Sequence, residues 1–294
     1  MLSKKTALFY VFLCIGLWAT LPSISKLGQS NLDSHQFLFW SSLVSFLSLL
    51  SATVFVKQTK TFATYKISDF LKIIVLGFLG TYLYYILLYF GYANSNGLEV
   101  IILQYTWPVF IVLLSLVILK EKLTIKLWLS VFLGFIGVFL ILSKGKFSEI
   151  QFDNLLVNLL VIGGAFSFAL FSVLNKKVEY EQYTFVTLLY LSATGFSFFS
   201  MICFSELKLP TINSIFPILM NGILINGFSY IFWFKALKNL EASFVAPFVF
   251  ITPVLSSTLL IIFFDEPILK IYLFGLLFVV AGGLINAIEK DKMA

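Results

Sequence analysis

Ten apolar stretches follow one another along this chain with only short gaps between them. A membrane-spanning helix needs roughly 20 mainly apolar residues, because each residue advances about 1.5 Å through a hydrocarbon layer about 30 Å thick. The stretches lie at about 7–28, 37–56, 70–92, 98–119, 127–143, 155–174, 184–204, 214–237, 243–264 and 271–288. The fifth and tenth are short, which predicts little tilt or an earlier start. None has the alternating pattern of a barrel strand. The chain is 60% hydrophobic and 12% charged, against about 25% charged in a soluble domain, and it has no polar segment long enough to build one. The fold class predicted is an all-α membrane protein of ten transmembrane helices. The first stretch lacks a small-residue cleavage site, so it reads as a retained span and not as a signal peptide.

Charge orients the spans. The formal net charge is +6, and every one of the 20 basic residues is lysine. In a soluble protein that balance would suggest nucleic acid as a partner. Here the lysines sit mostly in the gaps between apolar stretches, so the partners expected are a lipid bilayer and a small molecule, with no nucleic acid. With the N-terminus placed inside, the outer gaps hold five lysines (Lys26, Lys144, Lys146, Lys208 and Lys270) and the inner gaps hold the other fifteen of the 20. That asymmetry satisfies the positive-inside rule and predicts two cytoplasmic termini. The loops are short, so any function has to lie within the membrane.

The chain also repeats itself. Pro108, Glu121 and Gly137 recur as Pro253, Glu266 and Gly282, and Trp18 and Lys26 align with Phe168 and Lys176. Spans 1–5 and 6–10 therefore read as two copies of one unit, residues 1–147 and 148–294. Five spans is an odd number, so the second copy enters from the opposite face. Two inverted five-helix repeats are a signature of a transporter, because two similar halves can exchange conformations and so open one side while closing the other.

These residues carry a resemblance to the drug/metabolite transporter superfamily, the ten-span group built from two EamA-type repeats. Each repeat there has an apolar helix with a central Pro, then a Gly-Glu-like turn, then a Gly-rich helix. Here they are Pro108 with Lys120-Glu121-Lys122-Leu123, and Pro253 with Asp265-Glu266-Pro267-Ile268. Lys120 and Asp265 stand where the turn has Gly. Leu98-Glu99-Val100 continuing to Gln104-Tyr105-Thr106-Trp107-Pro108, and Gly164-Ala165-Phe166 through Asn175-Lys176, resemble the aromatic amino acid exporter branch, with Gln104 in place of an Asn. The resemblance implies a central cavity built from spans 1, 3, 4, 6, 8 and 9. It also implies export of aromatic or other neutral amino acids across a bacterial inner membrane, by a monomer or homodimer, with no cofactor.

The residues themselves supply the candidates. Glu99 opens span 4, where an intramembrane carboxylate could hold a substrate ammonium or carry a coupling proton. It could equally be an interfacial carboxylate stabilised by the helix dipole by about 0.3–1 kcal/mol. Gln104, Trp107 and Pro108 share one face of that helix, and Pro108 frees a backbone carbonyl in a medium without water. Tyr85 is too deep in span 3 for an interfacial belt, whereas Tyr82, Tyr84 and Tyr89 fit a belt at least as well as a cavity. Trp18 in span 1, Asn175 in span 6, Tyr230 and Trp233 in span 8 and Phe250 in span 9 complete the candidate substrate-binding set. Aromatic faces suit an apolar or cationic group, with a cation–π contact giving about 0.5–2 kcal/mol, although single aromatics in a chain with 35 Phe more often face lipid or packing. Gly77, Gly80, Gly134, Gly137, Gly163, Gly164, Gly282 and Gly283 read as small-residue helix contacts. Glu121 and Glu266 read as turn or cap residues.

Several chemistries have no support in the sequence. There is no HExxH, no phosphate-binding GxxxxGK[ST] loop and a single histidine, so metal-dependent hydrolysis and ATP hydrolysis by that route are not indicated. No selectivity-filter string is apparent. The reading is a transporter working by alternating access and not an enzyme. The same fold carrying another metabolite or drug is the nearest rival, and a non-transporting membrane enzyme or structural subunit is the more distant one.

Overall fold

The computed structural model describes residues 2–95, 97–147, 154–264 and 269–291. Among them there is no strand; the chain is a bundle of helices. Eight are long and apolar enough to cross a membrane: α1 (Lys4–Gly28), α2 (Ser34–Phe55), α3 (Ile67–Tyr92), α4 (Ile102–Leu119), α5 (Ile125–Ser143), α6 (Leu155–Asn175), α7 (Gln182–Phe204) and α8 (Ile212–Asn239). Two shorter apolar helices follow, α9 (Ala242–Ser256) and α10 (Lys270–Ile285).

Helix starts precede the apolar stretches by two or three residues in several cases, because a polar cap lies just before each run. The Asp33 carboxylate accepts from the backbone N–H of His35 and Gln36 at 2.8 and 2.9 Å, and Asp33 N–H in turn donates to Gln36 Oε1. Glu181 caps α7 through Tyr183 and Thr184. Thr124 caps α5 through Leu127 at 3.1 Å, so the short fifth stretch gains its missing residues at this end. In hydrocarbon these bonds matter more than in water, because an orphan N–H has no solvent to turn to.

Prolines and widened turns interrupt the helices that surround the centre. The helical rise of α4 begins at Gly97, stops at Gln104 and restarts at Trp107, with Pro108 in the first turn of the second piece. Proline has no N–H to give to the preceding turn, so the helix breaks there. α1 is broken at Thr20, next to Pro22. π turns occupy Phe78–Leu83 in α3 and Met220–Phe228 in α8; such bulges often sit at functional positions.

The packing has an internal regularity. α1 lies on α8 and α3 on α6, α1 on α9 and α4 on α6, α2 on α8 and α3 on α7; α2 also pairs with α7, and α5 with α10. Each of these contacts maps onto another, or onto itself, when helix n is exchanged with helix n + 5.

Glycines set the closest of these approaches. A Cβ built on Gly137 would lie 2.6 Å from the carbonyl of Gly275 and 2.9 Å from the N of Val279, and one on Gly282 would lie 2.7 Å from the carbonyl of Ser130. Ser130 Oγ donates to the Gly282 carbonyl at 2.6 Å, tying α5 to α10. On the other pairs, Gly77 faces the backbone of Leu189 on α7, and Gly222 faces that of Ser41 on α2, at 2.9 and 2.8 Å. The small-residue reading thus fits Gly77, Gly137 and Gly282, while nothing lies within 4 Å of a Cβ on Gly163. Gly137→Val should therefore lower the melting temperature in detergent by several degrees, or abolish folded yield, because backbone has to move. Gly163→Ala should leave the melting temperature within a degree or two of wild type or raise it, as Ala forms helix better than Gly. Equal effects of the two substitutions would contradict this packing.

Candidate functional site

At the centre of the bundle four large rings meet. Trp18 of α1 lies 5.2 Å from Trp233 of α8, 6.0 Å from Trp107 of α4 and 6.2 Å from Phe168 of α6, measured between ring centroids. Trp107 is 5.0 Å from Phe168 and 5.9 Å from Trp233. All these pairs are edge-on or tilted, the arrangement that the ring quadrupole prefers. The indole N–H groups of Trp18 and Trp233 are bonded within the protein, to Ser229 Oγ at 2.9 Å and Ser172 Oγ at 3.3 Å. Both rings are thereby fixed in orientation, and it is their faces and edges that remain for other contacts.

A cavity of about 50 Å³ opens above this cluster, bounded by Trp18, Tyr85, Gln104, Trp107, Phe168 and neighbouring residues. Drug-sized ligands need roughly 300 Å³ or more, so the bundle has closed around its centre. The cavity runs toward the end of the bundle that carries Lys26: Leu21, Pro22 and Tyr92 at that end are half-buried, whereas Trp107 and Phe168 are each 3% exposed. Gln104 is held on the wall between two tyrosines, donating Nε2–H to Tyr84 Oη at 2.7 Å and accepting from Tyr92 Oη at 3.2 Å. Tyr84 lies 4.8 Å from both Tyr85 and Phe168 by ring centroid, so this amide is coupled to the aromatic cluster. Larger clefts of about 370 and 260 Å³ open on the flanks of the bundle. Their walls include Phe204 and Phe132, which are 75% and 60% exposed, so they lie on the outer surface of the bundle and away from its centre.

Of the ten candidates named from the sequence, Trp18, Tyr85, Gln104 and Trp107 line the cavity together. Trp233 lies beneath it, against Trp18. Tyr230 is behind Tyr85, with its hydroxyl 3.4 Å from that of Tyr85 and 3.2 Å from the Gly80 carbonyl. Pro108 is buried in the first turn of the lower piece of α4. Asn175 is buried at the far end of α6, away from the cavity lining. Phe250 packs onto Gly134 of α5 instead of facing the centre. Glu99 falls in the helical piece Gly97–Gln104, but its side chain lies outside the described residues. Sequence reasoning passed over Ser25, Tyr92 and Thr252, and left Tyr84 as fitting a belt at least as well as a cavity; all four also line the cavity. Tyr89 is fully buried there and is not part of an interfacial belt. The internal repeat held one usable signal: Phe168 occupies the position of Trp18, and Tyr230 that of Tyr85.

The end of the bundle opposite Lys26 is sealed by a charged contact. Glu121 accepts from the backbone N–H of Ala242 and Ser243, at 3.0 and 2.9 Å, which caps the start of α9. The same carboxylate pairs with Lys176 Nζ at 3.1 Å, and Lys176 also donates to the Leu240 carbonyl at 2.6 Å. Glu121 is thus a cap, as its place after span 4 suggests, and it also ties α6 and α9 to the loop following α4. Lys120, one residue earlier, has φ of 56°, a left-handed conformation that favours Gly; that is why the turn motif carries Gly at this position.

One family model matches the chain twice, over residues 5–143 and 155–288. The chain belongs to the EamA-like transporter family. Among curated EamA-like relatives, an uncharacterized transporter of Archaeoglobus fulgidus is 28% identical over 260 residues, 87% of this chain and 88% of its own length. The uncharacterized transporter YetK of Bacillus subtilis is 25% identical over 230 residues, 76% of this chain and 70% of its own length. A crystal structure of 17% identity superposes with a TM-score of 0.84, covering 97% of this chain and 99% of that one, which speaks for the fold alone. Family and composition together make this a multi-pass membrane protein of transporter type.

Burial raises the pKa of the Glu121 carboxyl, but the hydrogen bonds from Ser243, the Lys176 charge and the Ala242 N–H outweigh it and hold it below the usual value of 4.5. A depressed carboxyl contributes stability above its unfolded pKa and loses it as pH falls through the folded one. Thermal stability in detergent should therefore drop below about pH 4.5 in wild type. Glu121→Gln should lie lower at neutral pH and lack that part of the acid-side drop. A Glu121→Gln profile parallel to wild type throughout would contradict the assignment.

Proposed function

We propose that this protein exports neutral amino acids, chiefly aromatic ones, and related small metabolites by alternating access. It would do so across a bacterial inner membrane, with both termini in the cytoplasm. In this reading α9 and α10 are the ninth and tenth spans, and residues 1–147 and 148–294 are inverted repeats of one transport domain. Three observations support the repeat: the doubled family match, the packing that survives exchange of helix n with n + 5, and the π turns at corresponding places in α3 and α8. Five-helix halves of opposite orientation place one cavity at their shared centre, where rocking exposes it to either side.

The observation that carries the substrate class is the four-ring cluster of Trp18, Trp107, Phe168 and Trp233 beneath the cavity, with the Gln104 amide fixed above it. A flat apolar side chain can lie against the rings, while the polar end of the molecule stays on the Gln104 side. Trp18, Tyr85, Gln104 and Trp107 would touch the substrate; Trp233 and Tyr230 would hold those residues in place. The small cavity running toward Lys26 and the Glu121–Lys176 contact at the other end correspond to a nearly closed state that is shut to the cytoplasm and would open outward. Glu99 is the candidate for carrying a proton if transport is coupled to one.

Counterflow in liposomes tests this. Purified protein should exchange labelled phenylalanine against internal phenylalanine, tryptophan or leucine faster than protein-free vesicles. Trp107→Ala should slow that exchange at least tenfold at sub-saturating substrate while keeping folded yield. Absence of exchange with every amino acid tried would overturn the amino acid reading and leave the wider set of metabolites and drugs.

A further inference from the structure

The cavity wall nearer Lys26 carries polar groups that have nothing to bond. Ser25, Tyr89 and Thr252 line the cavity and are 5%, 0% and 2% exposed, yet none of their hydroxyl oxygens has a hydrogen-bond partner in the protein. Asn221 on α8 is fully buried with both amide atoms unpartnered. It sits behind the cavity lining, where its side chain and that of Ser25 approach the Tyr89 hydroxyl without reaching hydrogen-bond geometry. Four helices, α1, α3, α8 and α9, thus contribute one such group each.

A buried polar group left without a partner costs about 1–3 kcal/mol, and a hydrocarbon surround offers no water to relieve it. Comparable hydroxyls on neighbouring helices avoid that cost. Ser45 donates to the Gly222 carbonyl at 2.8 Å, and Thr81 donates to the Gly77 carbonyl at 2.6 Å. Ser41, Ser42, Asn158, Tyr190 and Asn226 are also unpartnered and, like Asn221, are not on the cavity lining; Asn221 is joined to that lining through Tyr89. The Ser25–Tyr89–Thr252 wall differs in facing an open space. At about 50 Å³ that space takes a few waters, each of which needs roughly 10–15 Å³ and two or more polar partners.

The chemistry of the wall is specific. Its hydroxyls each donate and accept, and an Asn amide adds two donors and one acceptor. Among the described residues that line the cavity there is no lysine, aspartate, glutamate or histidine; the Glu99 side chain lies outside them. A net charge brought against this wall would lose its hydration with no counter-charge among those residues to meet it, a larger penalty than hydrogen bonds to neutral groups repay. A zwitterion or an uncharged amide gives matching donors and acceptors without net charge.

We propose that Ser25, Tyr89, Thr252 and Asn221 form the subsite for the substrate's polar head, and that this head is neutral overall, zwitterionic or uncharged. The proposal rests on the transport reading above and adds a selection rule to it. Phosphorylated metabolites, dicarboxylates and permanent cations are excluded, whatever their apolar part.

Two measurements test it. In the first, tryptophan fluorescence of the purified protein reports binding of four compounds that share a phenyl ring: phenylalanine, 3-phenylpropionamide, 3-phenylpropionate and phenethylamine. The two neutral heads should bind at least tenfold tighter than the anion and the cation. Asn221→Leu and Tyr89→Phe should remove that preference by weakening only the neutral pair, with melting temperatures equal to wild type or higher. Equal binding of all four by wild type, or variants that keep the preference, overturns the proposal.

The second is independent of ligand identity. In a chain with Cys14 and Cys203 changed to Ala, Ser25→Cys should react with a small water-soluble methanethiosulfonate despite its burial. Adding Asn221→Leu should slow that reaction at least tenfold, because the wall no longer holds water. Failure of Ser25→Cys to react overturns the subsite, whatever the amino acid result. Reaction at Ser25→Cys without binding of any phenyl compound supports the polar wall and overturns the choice of amino acids as cargo.

Discussion

The hydrocarbon around a membrane bundle offers no water, and every buried polar group therefore needs a partner from the chain itself or from whatever enters its centre. That constraint explains the capping of helix starts by Asp33, Thr124 and Glu181, and the bonding of serine and threonine hydroxyls to carbonyls of neighbouring turns and helices. It also explains why Trp18 and Trp233 at the centre have their indole N–H groups tied to serines. Against that background, the unpartnered wall of Ser25, Tyr89, Thr252 and Asn221 stands out.

The same constraint shapes how the helices meet. Apolar side chains gain little from leaving lipid for one another, so association relies on close packing. Gly77 against α7, Gly222 against α2, and Gly137 and Gly282 between α5 and α10 allow backbones to touch. These contacts recur at a spacing of 145 residues, Gly77 with Gly222 and Gly137 with Gly282. In the proposed mechanism these matching glycine contacts are where the two halves would rotate against each other. The Glu121–Lys176 pair, by contrast, holds together the end opposite Lys26, and in the proposed transport cycle it is the contact that breaks when that end opens.

Hydropathy placed the helices to within a few residues because the solvent is hydrocarbon and a spanning helix has little freedom in length. It missed starts such as Ser34 and Gln182 because caps are polar. The last two stretches emerge as the helices α9 and α10, the helix of the tenth stretch running over Lys270–Asp291. The cavity was only partly legible. Trp18, Tyr85, Gln104 and Trp107 could be named from position and type, and they do share one space. Phe250 and Asn175 have the same chemistry but turn elsewhere, because helix rotation is set by packing and is invisible in a chain that is apolar all round. Tyr89 and Ser25 lie near span ends, where a tyrosine reads as interfacial and a serine as loop; only the proximity of Asn221, 132 positions beyond Tyr89, gives them meaning.

The central claim is that two similar halves alternate about the aromatic cluster, opening one end as the other closes. Spin labels at exposed Lys122 and Lys177, beside the Glu121–Lys176 contact, and at exposed Lys26 and Lys208, at the other end, measure this directly in double electron–electron resonance. With a transported amino acid present in lipid nanodiscs, the Lys122–Lys177 distance should gain a longer population while the Lys26–Lys208 distance gains a shorter one. Distances that stay fixed, or that lengthen together at both ends, would contradict the account.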